Sequence, residues 1–177
     1  MKTPTLWATT AQLPTYPALT KDAKADVVII GAGLTGILSA YLLAKEDRKV
    51  VILEKNTVAE GATHLTTAFL TEVLDTDMRK LIATFSAETA KKIIASHGAA
   101  IDLIEKISLE EKIDCDFKRC SNYFYAHKDE AFGTLLAEYD AMRELGIDAV
   151  LSADPLPGFK ISSTQIYARH PEHSSKV

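Results

Sequence analysis

The chain has 177 residues, 47% hydrophobic and 25% charged, with a formal net charge of −4, the balance of a globular protein with a real core. The acidic excess, with no lysine- or arginine-rich run, speaks against attraction to nucleic acid or anionic lipid. Two cysteines, Cys115 and Cys120, are too few for a disulfide framework and fit no metal or CxxC spacing, so reduced thiols in a cytoplasmic protein are expected.

Residues 1–24 read as an irregular, proline-punctuated lead-in with room for one short helix; Met1 to Tyr16 has no apolar core of the kind a secretory leader needs. Val27 to Ala44 then runs 18 residues without a charge, long enough to raise a membrane span. Gly31, Gly33 and Gly36 interrupt it, and each weakens a helix interior. A β-branched strand, Asp26 to Ile30, followed by a turn and a helix from Leu34 to Lys45 accounts for every residue, so no transmembrane segment is expected. Ile37, Leu38, Tyr41 and Leu42 give that helix its apolar spacing. A second strand, Lys49 to Leu53, is again apolar throughout, as in parallel sheets buried on both faces.

A loop of small residues, Ala59 to Ala68, comes next. Met78, Leu81, Ile82 and Phe85 predict a helix capped at Asp75 or Thr76. Ser86 starts another with Ala90, Ile93 and Ile94. Gly98 is expected to interrupt it before a further helix through Ile101, Leu103, Ile104 and Ile107. Cys115 to Ala126 reads as one or two strands around Ser121-Asn122. Phe132, Leu135, Leu136, Tyr139, Met142 and Leu145 predict a helix with Gly146 as its left-handed stop. A strand from Ile147 to Leu151 and a turn at Asp154 to Gly158 follow. His170 and His173 flank Pro171 in a solvated tail, Asp114 and Asp116 read as solvent-facing, and His64 reads as a loop histidine with its hydrogen bonds met. No metal site is expected.

The chemistry lies in Gly31-Ala32-Gly33-Leu34-Thr35-Gly36. A GxGxxG match alone is weak, but this one follows a β-branched strand, opens a helix, and has an acid, Glu54, ending the next strand 18 residues beyond Gly36. Gly31 permits the tight turn, Gly33 lets backbone approach a pyrophosphate, and Gly36 lets the helix pack on the strand. The helix tip then faces phosphate charge. Glu54 is suited to accept hydrogen bonds from ribose hydroxyls and would repel a 2′-phosphate, which disfavours NADP. The loop Gly61-Ala62-Thr63-His64-Leu65-Thr66-Thr67-Ala68 suits either a diphosphate or flavin contact or a threonine-rich helix cap.

FAD and NAD share this fingerprint. An NAD domain usually continues the strand–helix alternation into a second half, whereas here a loop and a long helical region follow. The run Ala25 to Gly33, then Leu53-Glu54-Lys55, then the GAT…TTA loop resembles the N-terminus of FAD-dependent oxidoreductases of the D-amino acid oxidase (DAO) superfamily. Leu6-Trp7, Tyr16-Pro17, Ala99 to Asp102 and Ile113 to Phe117 resemble a bacterial branch that carries a C-terminal Rieske iron–sulfur domain. The resemblance implies FAD as cofactor, with Gly31, Ala32, Gly33, Leu34, Thr35 and Gly36 at the pyrophosphate. Glu54 and Lys55 would meet the ribose, and Thr63, Thr66 and Thr67 would lie along the diphosphate and flavin side. It also implies oxidation of a C–N bond in an amine or amino-acid substrate; no catalytic residue is assigned.

The fold expected from residues and resemblance together is α/β. It comprises a lead-in (1–24), a Rossmann-like FAD-binding βαβ portion with inserted helices (25–115), and the start of a mixed α+β substrate domain (116–177). Members of this family are more than twice as long, and no Rieske CxH…CxxH pattern is present in these residues. The chain is therefore expected to be an incomplete enzyme whose partner is a missing C-terminal half or a Rieske iron–sulfur partner. The alternatives are an NAD-dependent oxidoreductase and a non-enzymatic nucleotide-binding fragment needing a second polypeptide.

Overall fold

The computed structural model describes residues 5–125 and 132–152, and the backbone of 165–168. The chain forms two compact units, residues 1–69 and 70–177.

The first unit opens with α1 (Leu6–Thr10), whose N-cap is the Thr5 side chain. Strand β1 (Val27–Ile30), helix α2 (Leu34–Lys45) and strand β2 (Val50–Leu53) follow. The two strands pair in parallel, Val27 opposite Val50 through Ile30 opposite Leu53, and α2 packs against both. This is the predicted βαβ unit, with the predicted helix limits. Asp26 fastens the far end of the pair by accepting the Lys49 amide at 2.8 Å. The expectation of strands buried on both faces is corrected. Val28 is 56% and Ile30 88% exposed, while Val27 and Ile29 are half-buried. Burial on both faces requires a sheet covered by layers on each side, and this sheet has two strands among the described residues.

The second unit contains α3 (Met78–Phe85), α4 (Ala87–Glu110), β3 (Asn122–Tyr125), α5 (Phe132–Glu144), β4 (Ala149–Ser152) and β5 (Gln165–Ala168). Strand β5 lies between β3 and β4 and is antiparallel to both. The core sits here: Met78, Leu81, Ala90, Ile94, Leu135, Met142, Leu145 and Ile147 are buried together, with Met78 and Met142 fully enclosed. Arg119 anchors the irregular stretch before β3 to α4. Its guanidinium donates to Asp102 Oδ1 and Glu105 Oε2, each at 2.6 Å, with only 13% of its side chain exposed.

Two expectations for this unit need correction. Gly98 does not interrupt α4, which is continuous from Ala87 to Glu110. A Cβ there would stand 3.3 Å from Glu72 Oε1, so the glycine admits a neighbouring carboxylate rather than ending the helix. The cap of α3 is neither Asp75 nor Thr76: the N-cap position is Asp77 with no side-chain bond. Glu138 of α5 caps it instead by accepting the Met78 amide at 2.5 Å. As expected, the stretch around Ser121-Asn122 forms a strand, β3, among the described residues, and the strand expected at Ile147 to Leu151 runs from Ala149 to Ser152. Ser86 does begin α4, and Gly146 takes the expected left-handed φ of 84°. The turn at 154–158 and the tail histidines lie outside the described residues.

Candidate functional site

The glycine bend joins β1 to α2. Gly31 adopts φ +102°, a conformation side chains rarely take, and its amide continues the β ladder to Leu53 O at 2.8 Å. Gly33 is the N-cap of α2 and has no side chain with which to cap it. A Cβ on Gly33 would lie 3.3 Å from Thr63 Oγ1, and one on Gly36 would lie 2.0 Å from Gly31 O. Gly31 thus makes the turn and Gly36 the close helix–strand approach that their positions in the motif predict, while Gly33 leaves room for the Thr63 hydroxyl.

Glu54 folds back to this bend. Its Oε2 accepts the Ala32 amide at 2.8 Å and its Oε1 the Asn56 amide at 2.9 Å. The carboxylate therefore stands at the start of the helix and ties the two strand ends together. The Ala32 amide first, and the Asn56 amide next, hold its carboxyl below the ordinary glutamate range. Because folding lowers this pKa, the stabilisation is complete above the ordinary value and disappears as pH falls through the folded one. Protection of the Ala32 amide, relative to its intrinsic exchange rate at the same pH, is expected to fall in acid, below pH about 4.5. In E54Q this acid limb should be absent, and an unchanged limb there would show that another group controls the bend.

The threonine loop closes over the same point. A 3-10 turn, Ala62–Leu65, sets Thr63 so that its hydroxyl accepts the Leu34 amide at 3.0 Å. The Ala59 amide donates to Ala32 O at 2.9 Å, and His64 Nδ1 lies 3.3 Å from Ala59 O. Thr66 accepts the Ala68 amide on its hydroxyl at 3.1 Å and the Trp7 indole on its carbonyl at 2.7 Å.

The structure therefore brings Gly31, Ala32, Gly33, Leu34, Gly36, Glu54 and Thr63 into one cluster. Thr35 is exposed on the first turn of α2, Lys55 is exposed beyond Glu54, and Thr66 and Thr67 are exposed further along the loop. Trp7 and Ala59 were not predicted as parts of this site. The Trp7 bond spans 59 positions, and its signal in the sequence was a lone tryptophan within a proline-rich lead-in. Cys115 and Cys120 are free and exposed. Among the described residues no group of acidic, histidine or cysteine side chains is arranged to hold a metal, and no helix is long and apolar enough to cross a membrane.

The cluster has the features of a dinucleotide-binding bend: Gly33 offers a face without Cβ at the tip of α2, and an anchored acid stands beside it. The family model described as FAD-dependent oxidoreductase, DAO, matches residues 26–166. The chain belongs to the DAO family of FAD-dependent oxidoreductases. Among DAO relatives, the Rieske-named 2Fe-2S iron–sulfur protein YhfW of Bacillus subtilis (strain 168) is 38% identical over 154 residues. That match covers 86% of this chain and 30% of YhfW. Gamma-glutamylputrescine oxidoreductase of Escherichia coli (strain K12) is 27% identical over 120 residues, covering 68% of this chain and 28% of that one. The solved glycine oxidase of Bacillus cereus ATCC 14579 superposes with a TM-score of 0.55 at 22% identity, over 82% of this chain and 38% of its own. The likeness to glycine oxidase shows a shared fold. The matches span 30%, 28% and 38% of the lengths of these three relatives.

Proposed function

We propose that the first unit of this DAO protein binds FAD. In this reading the backbone of Gly31 to Gly36 cradles the pyrophosphate, Glu54 and Lys55 meet the adenosine ribose, and Thr63, Thr66 and Thr67 line the diphosphate and flavin side. The observation that carries it is the convergence of Gly33, Glu54 and Thr63 on one helix tip, within hydrogen-bond reach of the same short backbone segment. Thr63 keeps a hydroxyl proton to donate while its oxygen accepts from Leu34. The reaction proposed for the whole protein is oxidation of a C–N bond in an amine or amino acid; the flavin, when bound, supplies the chemistry by accepting the hydride from the carbon bearing that nitrogen. The gamma-glutamylputrescine oxidoreductase relative supports this substrate class. The chain's own part is to orient the cofactor and neutralise its phosphates. Residues 116–177 are the start of the substrate side. The Rieske-named relative supports reoxidation by an iron–sulfur centre of that type.

The test is ligand-dependent stability. FAD at one hundred times its Kd should stabilise the chain by about 2.7 kcal/mol, read as a rise in Tm, while NAD leaves Tm unchanged. Protection by NAD without any response to FAD would replace this proposal with a nicotinamide enzyme. Gly33→Val separates binding from folding. Its nearest obstacle is the tip of the Thr63 side chain, which can move, so the circular dichroism should be close to that of the parent. The branched side chain would fill the pyrophosphate approach, and FAD affinity should fall by about a hundredfold, the equivalent of ~2.7 kcal/mol. Equal affinity in the variant would show that the diphosphate lies elsewhere.

A further inference from the structure

We propose that Trp7 is a positioning residue for the threonine loop: its indole N–H latches the Thr66 carbonyl and thereby sets where Thr63 and the α2 tip stand for the dinucleotide. The proposal rests on the FAD reading above. The bond is short, 2.7 Å, at the tight end of the range for N–H···O contacts. It connects segments 59 positions apart, and α1 packs against the 62–65 turn along with it. Thr5 caps α1 by accepting the Ala8 amide, which fixes the turn of helix that presents Trp7.

The loop needs such a latch. Both of its ends are alanines in left-handed backbone, Ala59 at φ 59° and Ala68 at φ 58°. Residues with a Cβ persist there when surrounding contacts over-determine the conformation, and such positions gather at ligand clamps. The first half of the loop is held from the βαβ unit, Ala59 to Ala32 and Thr63 to Leu34, and His64 braces it internally against Ala59. The second half is held from the lead-in, by Trp7. The Thr66 hydroxyl meanwhile accepts the Ala68 amide, so the threonine joins the indole to the strained end. Releasing the indole frees residues 65–68 to swing, and Thr63 is then tethered from one side.

Trp7 is the sole tryptophan of the chain, so tryptophan emission reports this residue alone. FAD titrated into the parent chain should quench that emission as flavin fluorescence changes. Trp7→Phe keeps an aromatic ring and removes the donor. It should bind FAD about tenfold more weakly, the upper end for one neutral hydrogen bond. In the ligand-free variant, amide exchange of residues 63–68 should rise by about tenfold, with β1, α2, β2 and the second unit unchanged. Unchanged loop exchange together with unchanged FAD affinity would overturn the latch. Loss of protection throughout β1 and β2 would also overturn it, since Trp7 would then be a packing residue. A parent chain that takes up no FAD refutes the FAD reading, and the exchange experiment then decides the latch on its own.

Discussion

Replacing Gly36 by alanine is expected to unfold the first unit. The added methyl would lie 2.0 Å from the Gly31 carbonyl oxygen, with the Gly31 carbonyl carbon at 3.2 Å and Ile29 Cγ2 at 3.3 Å. The obstacle is backbone at the end of β1, and it cannot rotate aside as a side chain would. Either α2 lifts from the strand or Gly31 abandons the φ of +102° that turns the chain into the helix. Overpacking of this kind costs about 3 kcal/mol at its severe end, a large fraction of the stability of a small unit. Hydrogen exchange at Val27 to Ile30 should lose its protection, and FAD-dependent stabilisation should vanish with it. Gly61 provides the control. An added Cβ there meets nothing within 4 Å and its φ is −71°, so Gly61→Ala should change stability by no more than about 0.5 kcal/mol. A G36A chain that melts with the parent and takes up FAD would show that the helix–strand approach is not what the third glycine provides.

Glu138→Ala should produce the largest loss in the second unit. The carboxylate is 8% exposed. One oxygen caps α3 at the Met78 amide, while the other is buried without a hydrogen-bond partner, the Arg79 guanidinium standing 3.9 Å away. Truncation strands the amide of a residue that is fully enclosed. A buried donor left without an acceptor costs about 2 kcal/mol, comparable to loss of a strong helix cap. Glu138→Gln retains the accepting oxygen and gives the second position an amide, so most of the stability should remain. Thermal or urea unfolding followed at a probe within α3 to α5 distinguishes them. Equal midpoints for E138A and the parent would mean that water caps α3 as well as the carboxylate does.

The parts legible in the sequence were those whose causes are local. The strand–glycine–helix–strand–acid order occupies residues 26–54, Gly31 and Gly36 answer demands of the bend itself, and Ser86 and Gly146 act on the turns where they stand. What escaped had distant causes. Nothing near Gly98 announces that Glu72 lies against it, so a helix-weakening residue was read as a break. The cap of α3 comes from a residue 60 positions away, and the nearest capping-type side chains, Asp75 and Thr76, were credited in its place. The exposure of Val28 and Ile30 depends on how many layers cover the sheet, and apolar composition within a strand cannot report that. Within the site, Glu54 was legible from its spacing behind the glycines, and Thr63 from the resemblance of its loop to the DAO family. The bonds that fasten them to Ala32 and Leu34 emerged only from the folded backbone.

Ser86 has a bearing on how the second unit acquires its structure. It closes α3, its amide donating to Ile82 O, and it opens α4, its hydroxyl accepting from Thr89, all at φ 72°. With one residue serving as the corner, the two helices meet without a connecting loop whose ends must first find each other, so the entropy of chain closure is small. Contacts between sequence neighbours form fastest, and the α3–α4 corner is accordingly the natural nucleus. Pairing of β3 and β4 with β5 must wait for much longer excursions of the chain, and a slower refolding phase belongs to that step.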